Sequence, residues 1–222
     1  MNKPKLTLFD LDHTLLSGDS DVLWCDFLMD KGVLDRATFA ARNADMEARY
    51  KAGTVGLAEF ANFYVGTLTV RSREEWEPIR QTFLREIVIP RITAAARKRV
   101  QDHLVAGDLV VMTTATNRFI TELTARHFEI EHLLATECEL RGSAFTGRTE
   151  GTLNMREGKV LRLRAWLEAR GLALEELATT AYSDSINDLP LLQSVEVAVV
   201  VYPDAKMRAI ADQHGWRVIS LR

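Results

Sequence analysis

Cysteine is scarce in this chain of 222 residues. The two cysteines, Cys25 and Cys138, stand far apart and form no Cys-x-x-Cys pair. This scarcity disfavours a zinc site and a disulfide framework, and it is typical of proteins from a reducing compartment. We therefore expect a cytoplasmic protein in which both cysteines are small buried hydrophobes.

A strong charge imbalance and long apolar runs are also absent. The formal net charge is -3 and the isoelectric point is about 6.0, so there is no electrostatic footprint for nucleic acid. No apolar run approaches the roughly 18 residues that span a bilayer. Residues 1–5 lead directly into an apolar strand, without the apolar region of a signal peptide. We expect no nucleic-acid or membrane partner, and a small or ionic substrate.

Short apolar runs alternate with helical patterns through most of the chain. Hydrophobic residues make up 47% of it, which is enough for a sizeable core. The apolar runs cover residues 6–9, 109–113, 133–135, 179–182, 196–201 and 216–219. The alternation predicts an α/β fold with a doubly wound, mostly parallel, Rossmann-like sheet. Such sheets bind ligands beyond the carboxyl ends of their strands.

Residues 17–87 break this alternation because their pattern is helical throughout. They predict an inserted all-helical cap domain, and the α/β core then comprises residues 1–16 and 88–222. The aromatic stripe of Phe60, Phe63 and Tyr64 has helical spacing, and we interpret it as the core of the cap. Inserted after the first strand, the cap would lie over the strand ends as a lid. Residues 139–154, rich in Gly, Thr and Ser, predict a short hairpin or flap.

The first strand ends in two acidic residues, Asp10 and Asp12. Carboxylates two residues apart on an extended segment point the same way. Two like charges at this spacing need a cation or a shared proton to offset their repulsion. The pair suits a carboxylate nucleophile and a carboxylic acid acting on one substrate, with a hard cation between them. The alternative is a turn that ends the strand and caps a helix.

Two later segments indicate an anion site. The strand 109–113 runs into Thr114 and Ala115, just before a helix whose first backbone N–H groups could bind an anion. Ordinary capping by Thr116 or Asn117 is the alternative. Lys159 lies in the first turn of another helix, where the helix dipole disfavours a cation. It could serve an anionic ligand or neutralise the nucleophile, or it could be an exposed lysine.

A fourth polar segment follows the strand 179–182. Asp184 and Asp188 could complete a hard-cation site with Asp10 or support it from behind. For Asp188 the alternative is a helix N-cap two residues before Pro190. All four segments fall at carboxyl ends of predicted strands or at the helix starts beyond them.

The four segments occur in the order Asp-x-Asp-x-Thr, strand-Thr, Lys and Asp-Ser-x-x-Asp. This order resembles the haloacid dehalogenase superfamily of phosphatases over nearly the whole chain. The helical insertion after the first motif is similar to its helical-cap subgroup, which includes phosphoserine phosphatase and histidinol-phosphatase-like enzymes. The resemblance implies a Mg²⁺-dependent phosphatase that hydrolyses a small phosphate monoester through an aspartyl-phosphate intermediate.

The resemblance also implies roles for individual residues. Asp10 would attack phosphorus, and Asp12 would protonate the leaving alkoxide and then activate water. The carboxylates of Asp10 and Asp184, with the backbone carbonyl of Asp12, would bind Mg²⁺. Thr114 would hold a phosphate oxygen, and Lys159 would balance charge.

Further positions would face the substrate. The resemblance places Ala115 and Asn187 against the substrate, and Asp188 in support of the phosphate and the metal. Asp19 stands near the place of a cap glutamate in phosphoserine phosphatases and could bind an amino group. Phosphoserine phosphatases also carry a cap arginine for the substrate carboxylate, and this chain has no arginine at the corresponding position, which lies near Tyr64.

Arg42 and Arg49 are candidates to replace that arginine. We therefore expect a small phosphorylated metabolite as substrate, with amine-bearing compounds such as histidinol phosphate or phosphoserine as candidates. The chain could act as a monomer or a homodimer.

Other functions fit part of this pattern. A phosphotransferase or mutase of the same superfamily would pass the phosphoryl group to an acceptor other than water. A receiver-like phospho-switch also combines aspartates, a Thr and a Lys, but its phosphoacceptor lies on a later strand and it lacks a large helical lid. A dehalogenase is disfavoured, because Asp12 would have no role where no alkoxide leaves.

Overall fold

A computed structural model describes residues 3–52 and 54–222, and the strands in these residues form one sheet. The strands are β1 (Lys5–Phe9), β2 (Leu109–Asn117), β3 (His132–Arg141), β4 (Ala144–Glu150), β5 (Ala178–Ser183), β6 (Val197–Val201) and β7 (Arg217–Ile219). They lie in the order β4-β3-β2-β1-β5-β6-β7. Every neighbouring pair is parallel except β3 and β4, so the predicted mostly parallel sheet is confirmed.

The central strand β1 marks the point where the strand order reverses. The chain runs outward from β1 through β2, β3 and β4, and then returns to the other side of β1 to run outward through β5, β6 and β7. A reversal of this kind leaves a crevice at the carboxyl ends of the central strands, where ligands bind. Asp10 and Asp12 follow β1 directly and therefore lie at this crevice.

Helices cover both faces of the sheet. They are α1 (Ser20–Asp30), α2 (Arg36–Lys51), α3 (Leu57–Val65), α4 (Arg73–Phe83), α5 (Ala94–Val105), α6 (Arg118–His127), α7 (Glu157–Glu168), α8 (Leu189–Gln193) and α9 (Ala205–His214). Side chains alternate along β1, so Leu8 packs with residues of α7, α8 and α9, and Phe9 packs with residues of α5 and α6. In the described part of the chain, no helix has the length and apolar character to cross a membrane.

Helices α1 to α4 fill the interval between β1 and α5, as the helical pattern predicted. The Asp19 carboxylate caps α1 by accepting hydrogen bonds from the backbone N–H groups of Asp21 and Val22, both at 3.0 Å. At the other end, α4 continues through a π-helical turn (Leu84–Val88) and a 3₁₀ turn (Ile89–Arg91). The domain boundaries at residues 17 and 87 stay a prediction.

A β-hairpin projects from the edge of the sheet and contacts the inserted helices. Strand β3 continues to Arg141, beyond the predicted end at residue 135, because its second half pairs with β4. The tip includes Gly142 at φ 63°, a left-handed conformation that glycine adopts readily. The Asn62 Oδ1 of α3 accepts hydrogen bonds from the Thr149 backbone N–H and hydroxyl, at 2.8 and 3.1 Å. The predicted hairpin is therefore confirmed. Its strand β4 contacts α3 through these two hydrogen bonds.

Candidate active site

A cavity of about 180 Å³ lies at the carboxyl end of β1, between the sheet and the inserted helices. Nearly all the residues that the four sequence segments predicted lie on its wall, together with residues of α1, α2 and α3. The wall includes Asp10, Asp12, Asp19, Asp21, Tyr50, Phe60, Tyr64, Ala115, Thr116, Arg156, Lys159, Asp184, Asn187 and Asp188. The inserted helices therefore lie over the strand ends, as the lid prediction requires.

Lys159 is held between two carboxylates at the base of the cavity. Its Nζ donates to Asp10 Oδ1 at 2.7 Å and to Asp188 Oδ2 at 2.6 Å, and only 2% of the residue is exposed. Burial lowers the lysine pKa, but the two carboxylates outweigh that effect and raise it overall, so the side chain stays charged. Asp188 is the N-cap residue of α8, as its alternative interpretation had it, but its carboxylate makes no capping hydrogen bond and instead accepts from Lys159 and from the Ser183 hydroxyl at 2.7 Å. The alternative of an exposed lysine is wrong.

Asp10 and Asp184 are carboxylates whose repulsion is only partly offset. Burial raises the pKa of Asp10 to about 6 against the opposing effect of Lys159. Burial and the nearby Asp10 raise the pKa of Asp184 to about 8, although the Thr14 hydroxyl donates to it at 3.2 Å. A hard cation with oxygen ligands would relieve this repulsion, so the donors fit Mg²⁺. No group of three His, Cys, Asp or Glu side chains in the described residues is placed to hold a metal alone. The cation would therefore need a backbone carbonyl such as that of Asp12, and water.

Asp12 is oriented by the first inserted helix and by β2. Its Oδ1 accepts from the Ser20 backbone N–H at 2.8 Å, and its Oδ2 accepts from the Thr116 hydroxyl at 2.9 Å. Burial, followed by the charges of Asp19 and Asp10, raises its pKa to about 7. A carboxyl group with a pKa near neutrality can both give and accept a proton, so Asp12 suits a general acid and base.

Thr114 lies behind Asp12 rather than on the cavity wall. It is fully buried, and its hydroxyl is 3.5 Å from Asp12 Oδ2. The next two residues, Ala115 and Thr116, line the cavity instead. Asn117 caps α6 by accepting from a backbone N–H at 3.2 Å, so the capping alternative is confirmed for this residue. A contact between Thr114 and a phosphate oxygen stays a prediction.

Aromatic side chains of the inserted helices form the wall opposite Asp10. The rings of Tyr50 and Phe60 stack at 4.0 Å between centroids, and Tyr64 meets Phe60 edge-on at 5.2 Å. Asn187 donates to the Tyr50 hydroxyl at 3.4 Å and so joins the core to α2. Phe60 and Tyr64 pack in the hydrophobic core, as their helical spacing predicted, and they also line the cavity, which periodicity alone does not indicate.

The predicted replacements for the cap arginine lie elsewhere. Arg49 pairs with Glu59 at 2.8 Å, and Arg42 lies over the Phe63 ring at 5.8 Å from its centroid. Neither lines the cavity. Arg156 does line it, from a backbone with φ of 49°, and the sequence reasoning missed this residue.

Comparisons with known proteins agree with this geometry. The model of the haloacid dehalogenase-like hydrolase family matches residues 7–193. A histidinol-phosphatase of Neisseria meningitidis serogroup C (strain 8013) is 37% identical over 219 residues, which cover 98% of this chain and 99% of that protein.

Solved structures give the same result for the fold. A crystal structure of a protein of unknown function from Bordetella pertussis Tohama I is 43% identical, with a TM-score of 0.97 and full coverage of both chains. A substrate-bound phosphoserine phosphatase has a TM-score of 0.67 at 17% identity and covers 99% of this chain and 94% of that one, which supports the fold alone. Because the family match spans the whole cavity floor from Asp10 to Asp188, this chain belongs to the haloacid dehalogenase-like hydrolases.

Proposed function

We propose that this hydrolase is a Mg²⁺-dependent phosphatase whose substrate is histidinol phosphate. The observation that carries the proposal is a single cavity joining two surfaces of different chemistry. One surface holds Asp10, Asp12 and Lys159, which suit phosphoryl transfer, and the other holds acidic and aromatic groups that suit an amine and a ring. The full-length similarity to a histidinol-phosphatase supports the substrate.

In the first step, a carboxylate oxygen of Asp10 attacks phosphorus in line with the leaving oxygen. The bond from phosphorus to that oxygen breaks, and Asp12 gives it a proton, so the alcohol leaves and an aspartyl phosphate remains. Lys159 contacts Asp10 at 2.7 Å and stabilises negative charge beside the reacting group. Mg²⁺ would be held by the carboxylates of Asp10 and Asp184 and by the backbone carbonyl of Asp12. When bound, it would supply further positive charge to stabilise the phosphoryl oxygens.

In the second step, Asp12 takes a proton from water, and the water oxygen attacks phosphorus. The bond to Asp10 breaks, inorganic phosphate forms and the nucleophile is regenerated. Asp12 is held in place for both steps by the Ser20 N–H and the Thr116 hydroxyl. Its pKa of about 7 allows the same group to serve as acid and then as base near neutral pH.

The wall opposite Asp10 favours histidinol phosphate over phosphoserine. Arg156 lines the cavity from the core side, but among the described residues the inserted helices bring no arginine to it, since neither Arg42 nor Arg49 is on the wall. A substrate carboxylate would therefore find no arginine on this wall, and histidinol phosphate has no carboxylate. The rings of Tyr50 and Phe60 could instead pack against the imidazole of the substrate.

The test is phosphate release from histidinol phosphate, phosphoserine, phosphocholine and sugar phosphates, by the protein and by Asp10→Asn. We expect Mg²⁺-dependent release that is fastest with histidinol phosphate and is lost in Asp10→Asn, but kept in the exposed control Asp26→Asn. Undiminished turnover by Asp10→Asn would refute the mechanism. Release that requires an added alcohol would indicate the phosphotransferase, and a stable phosphoprotein without turnover would indicate the receiver-like switch.

A further inference from the structure

Asp21, in the first turn of α1, presents an unsatisfied carboxylate to the cavity. Its Oδ1 is buried and has no hydrogen-bond partner, and its Oδ2 lies 3.3 Å from the Thr116 hydroxyl. That hydroxyl has one proton to donate, and Asp12 Oδ2 is nearer to it at 2.9 Å. Asp21 is therefore left without a firm donor, although buried carboxylates normally have donors or a paired cation.

The neighbouring Asp19 is in a different situation. Its Oδ1 accepts two backbone N–H groups as the cap of α1, so this carboxylate already has donors without a ligand. Burial, followed by the charges of Asp19 and Asp12, raises the pKa of Asp21 well above its ordinary value. Of the two acids on this part of the wall, Asp21 is the one that a cationic ligand would stabilise more.

The surroundings of Asp21 also suit a cation. Phe60 and Tyr64 line the same cavity, and aromatic faces attract ammonium and imidazolium groups. Two cationic side chains of the described residues line the cavity, Lys159 and Arg156. Lys159 is held by Asp10 and cannot pair with Asp21 at the same time, and Arg156 makes no ion pair with Asp21.

We propose that Asp21 is a specificity-determining residue that binds the cationic group on the alcohol half of the substrate. The inference rests on the phosphatase activity proposed above and deepens it, because it assigns cation recognition to Asp21 rather than to Asp19. The ligand is an ammonium or imidazolium group. Its N–H groups would donate hydrogen bonds to the Asp21 carboxylate, which has no firm donor in the protein.

The test measures preference between two phosphate monoesters that differ in the cation, phosphoethanolamine and ethyl phosphate. We expect the wild-type ratio of their kcat/KM values to favour phosphoethanolamine, and Asp21→Asn to lower that ratio at least tenfold, mainly through KM. Asp26→Asn, an exposed change on the same helix, should leave the ratio unchanged. Asp21→Ser serves as a second variant if Asp21→Asn does not fold, and thermal unfolding reports the fold of each.

A second readout does not depend on turnover of the amine. Inhibition of ethyl phosphate hydrolysis by histidinol should weaken at least tenfold in Asp21→Asn. An equal loss with both monoesters would overturn the inference, because Asp21 would then act only through Thr116 and Asp12. A wild-type protein without preference for the ammonium substrate would overturn it too. A clear preference with no hydrolysis of histidinol phosphate would refute the proposed substrate and leave the role of Asp21 intact.

Discussion

Replacing Lys159 with methionine removes the positive charge from the base of the cavity and keeps the length of the side chain. Asp10 and Asp188 then lie close together, both buried, with no cation between them. At an effective dielectric constant of about 20, each contact with the lysine gives an attraction of about 6 kcal/mol. Desolvation of the buried charges offsets much of it, and breaking a buried pair by removing one partner costs about 3–5 kcal/mol.

We therefore expect Lys159→Met to lower the free energy of unfolding by about 3–5 kcal/mol. This is a large part of the roughly 5–15 kcal/mol that stabilises an ordinary domain. The matched control is Lys98→Met, which removes an exposed ion pair with Asp102 on one helix and should leave the free energy of unfolding almost unchanged, because solvent screens that pair. The assay is urea denaturation at pH 7, with EDTA present so that no divalent cation replaces the lysine.

Activity gives a second readout of the same change. Loss of a charge that stabilises the transition state lowers kcat by about 100- to 1000-fold, so phosphate release by Lys159→Met should fall by that factor, while Lys98→Met keeps its rate. An unfolding free energy within 1 kcal/mol of the wild type in EDTA would refute the reasoning, because the two carboxylates would then need no cation.

Three further changes test other parts of the structure. Glu137→Gln should cost up to about 1 kcal/mol at pH 7, because solvent screens the ion pairs of this partly exposed carboxylate with Arg118 and Arg162. Burial raises the Glu137 pKa, but the two arginines outweigh that effect and lower the pKa overall. This stabilisation is therefore present above pH 4.5 and is lost as the pH falls through the folded pKa. Urea titrations should show the difference closing at acid pH, and a difference that is constant with pH would contradict the assignment. Arg156→Gly should raise the free energy of unfolding by about 1 kcal/mol. The change relieves backbone strain of about 1–3 kcal/mol at φ 49°, and glycine loses about 0.5–1 kcal/mol more conformational entropy on folding. A variant less stable than the wild type would disprove strain at this residue. Asn62→Ala should cost about 1–2 kcal/mol through two lost hydrogen bonds to β4, and an unchanged thermal midpoint would show that the hairpin does not support α3.

Those parts of the fold that depend on local pattern were predicted from the sequence. The run 6–9 alternates between two packed faces and therefore indicated a buried strand, and the absence of strand-like runs in residues 17–87 indicated helices. The ends of the longer strands were not predicted, because they depend on a partner strand. Thr136 still pairs with β2, and residues 137–141 extend β3 further where β4 pairs with them. The composition of residues 139–154 indicated a hairpin there, but it did not indicate where the two paired strands begin and end.

The residues at the base of the cavity were predicted, because their positions follow from local sequence pattern and from the parallel arrangement of the strands. Asp10, Lys159 and Asp184 each follow a strand or begin a helix, and parallel strands bring such positions to one edge of the sheet. Parallel topology therefore converts four separate segments into one site. The topology did not decide between a buried and an exposed Lys159, and its contacts with Asp10 and Asp188 come from the structure.

The opposite wall depends on how the inserted helices pack, and local pattern does not determine that. The sequence analysis did not single out Asp21, since an acidic residue in the first turn of a helix is favoured by the helix dipole and is ordinary there. The packing of α1 against β2 brings it to Thr116, whose hydroxyl also contacts Asp12. One hydroxyl proton is thus shared between the predicted general acid and the proposed cation receptor. A cation bound at Asp21, as proposed, would leave that proton to Asp12, so occupation of the proposed subsite would help to orient the proposed catalytic acid.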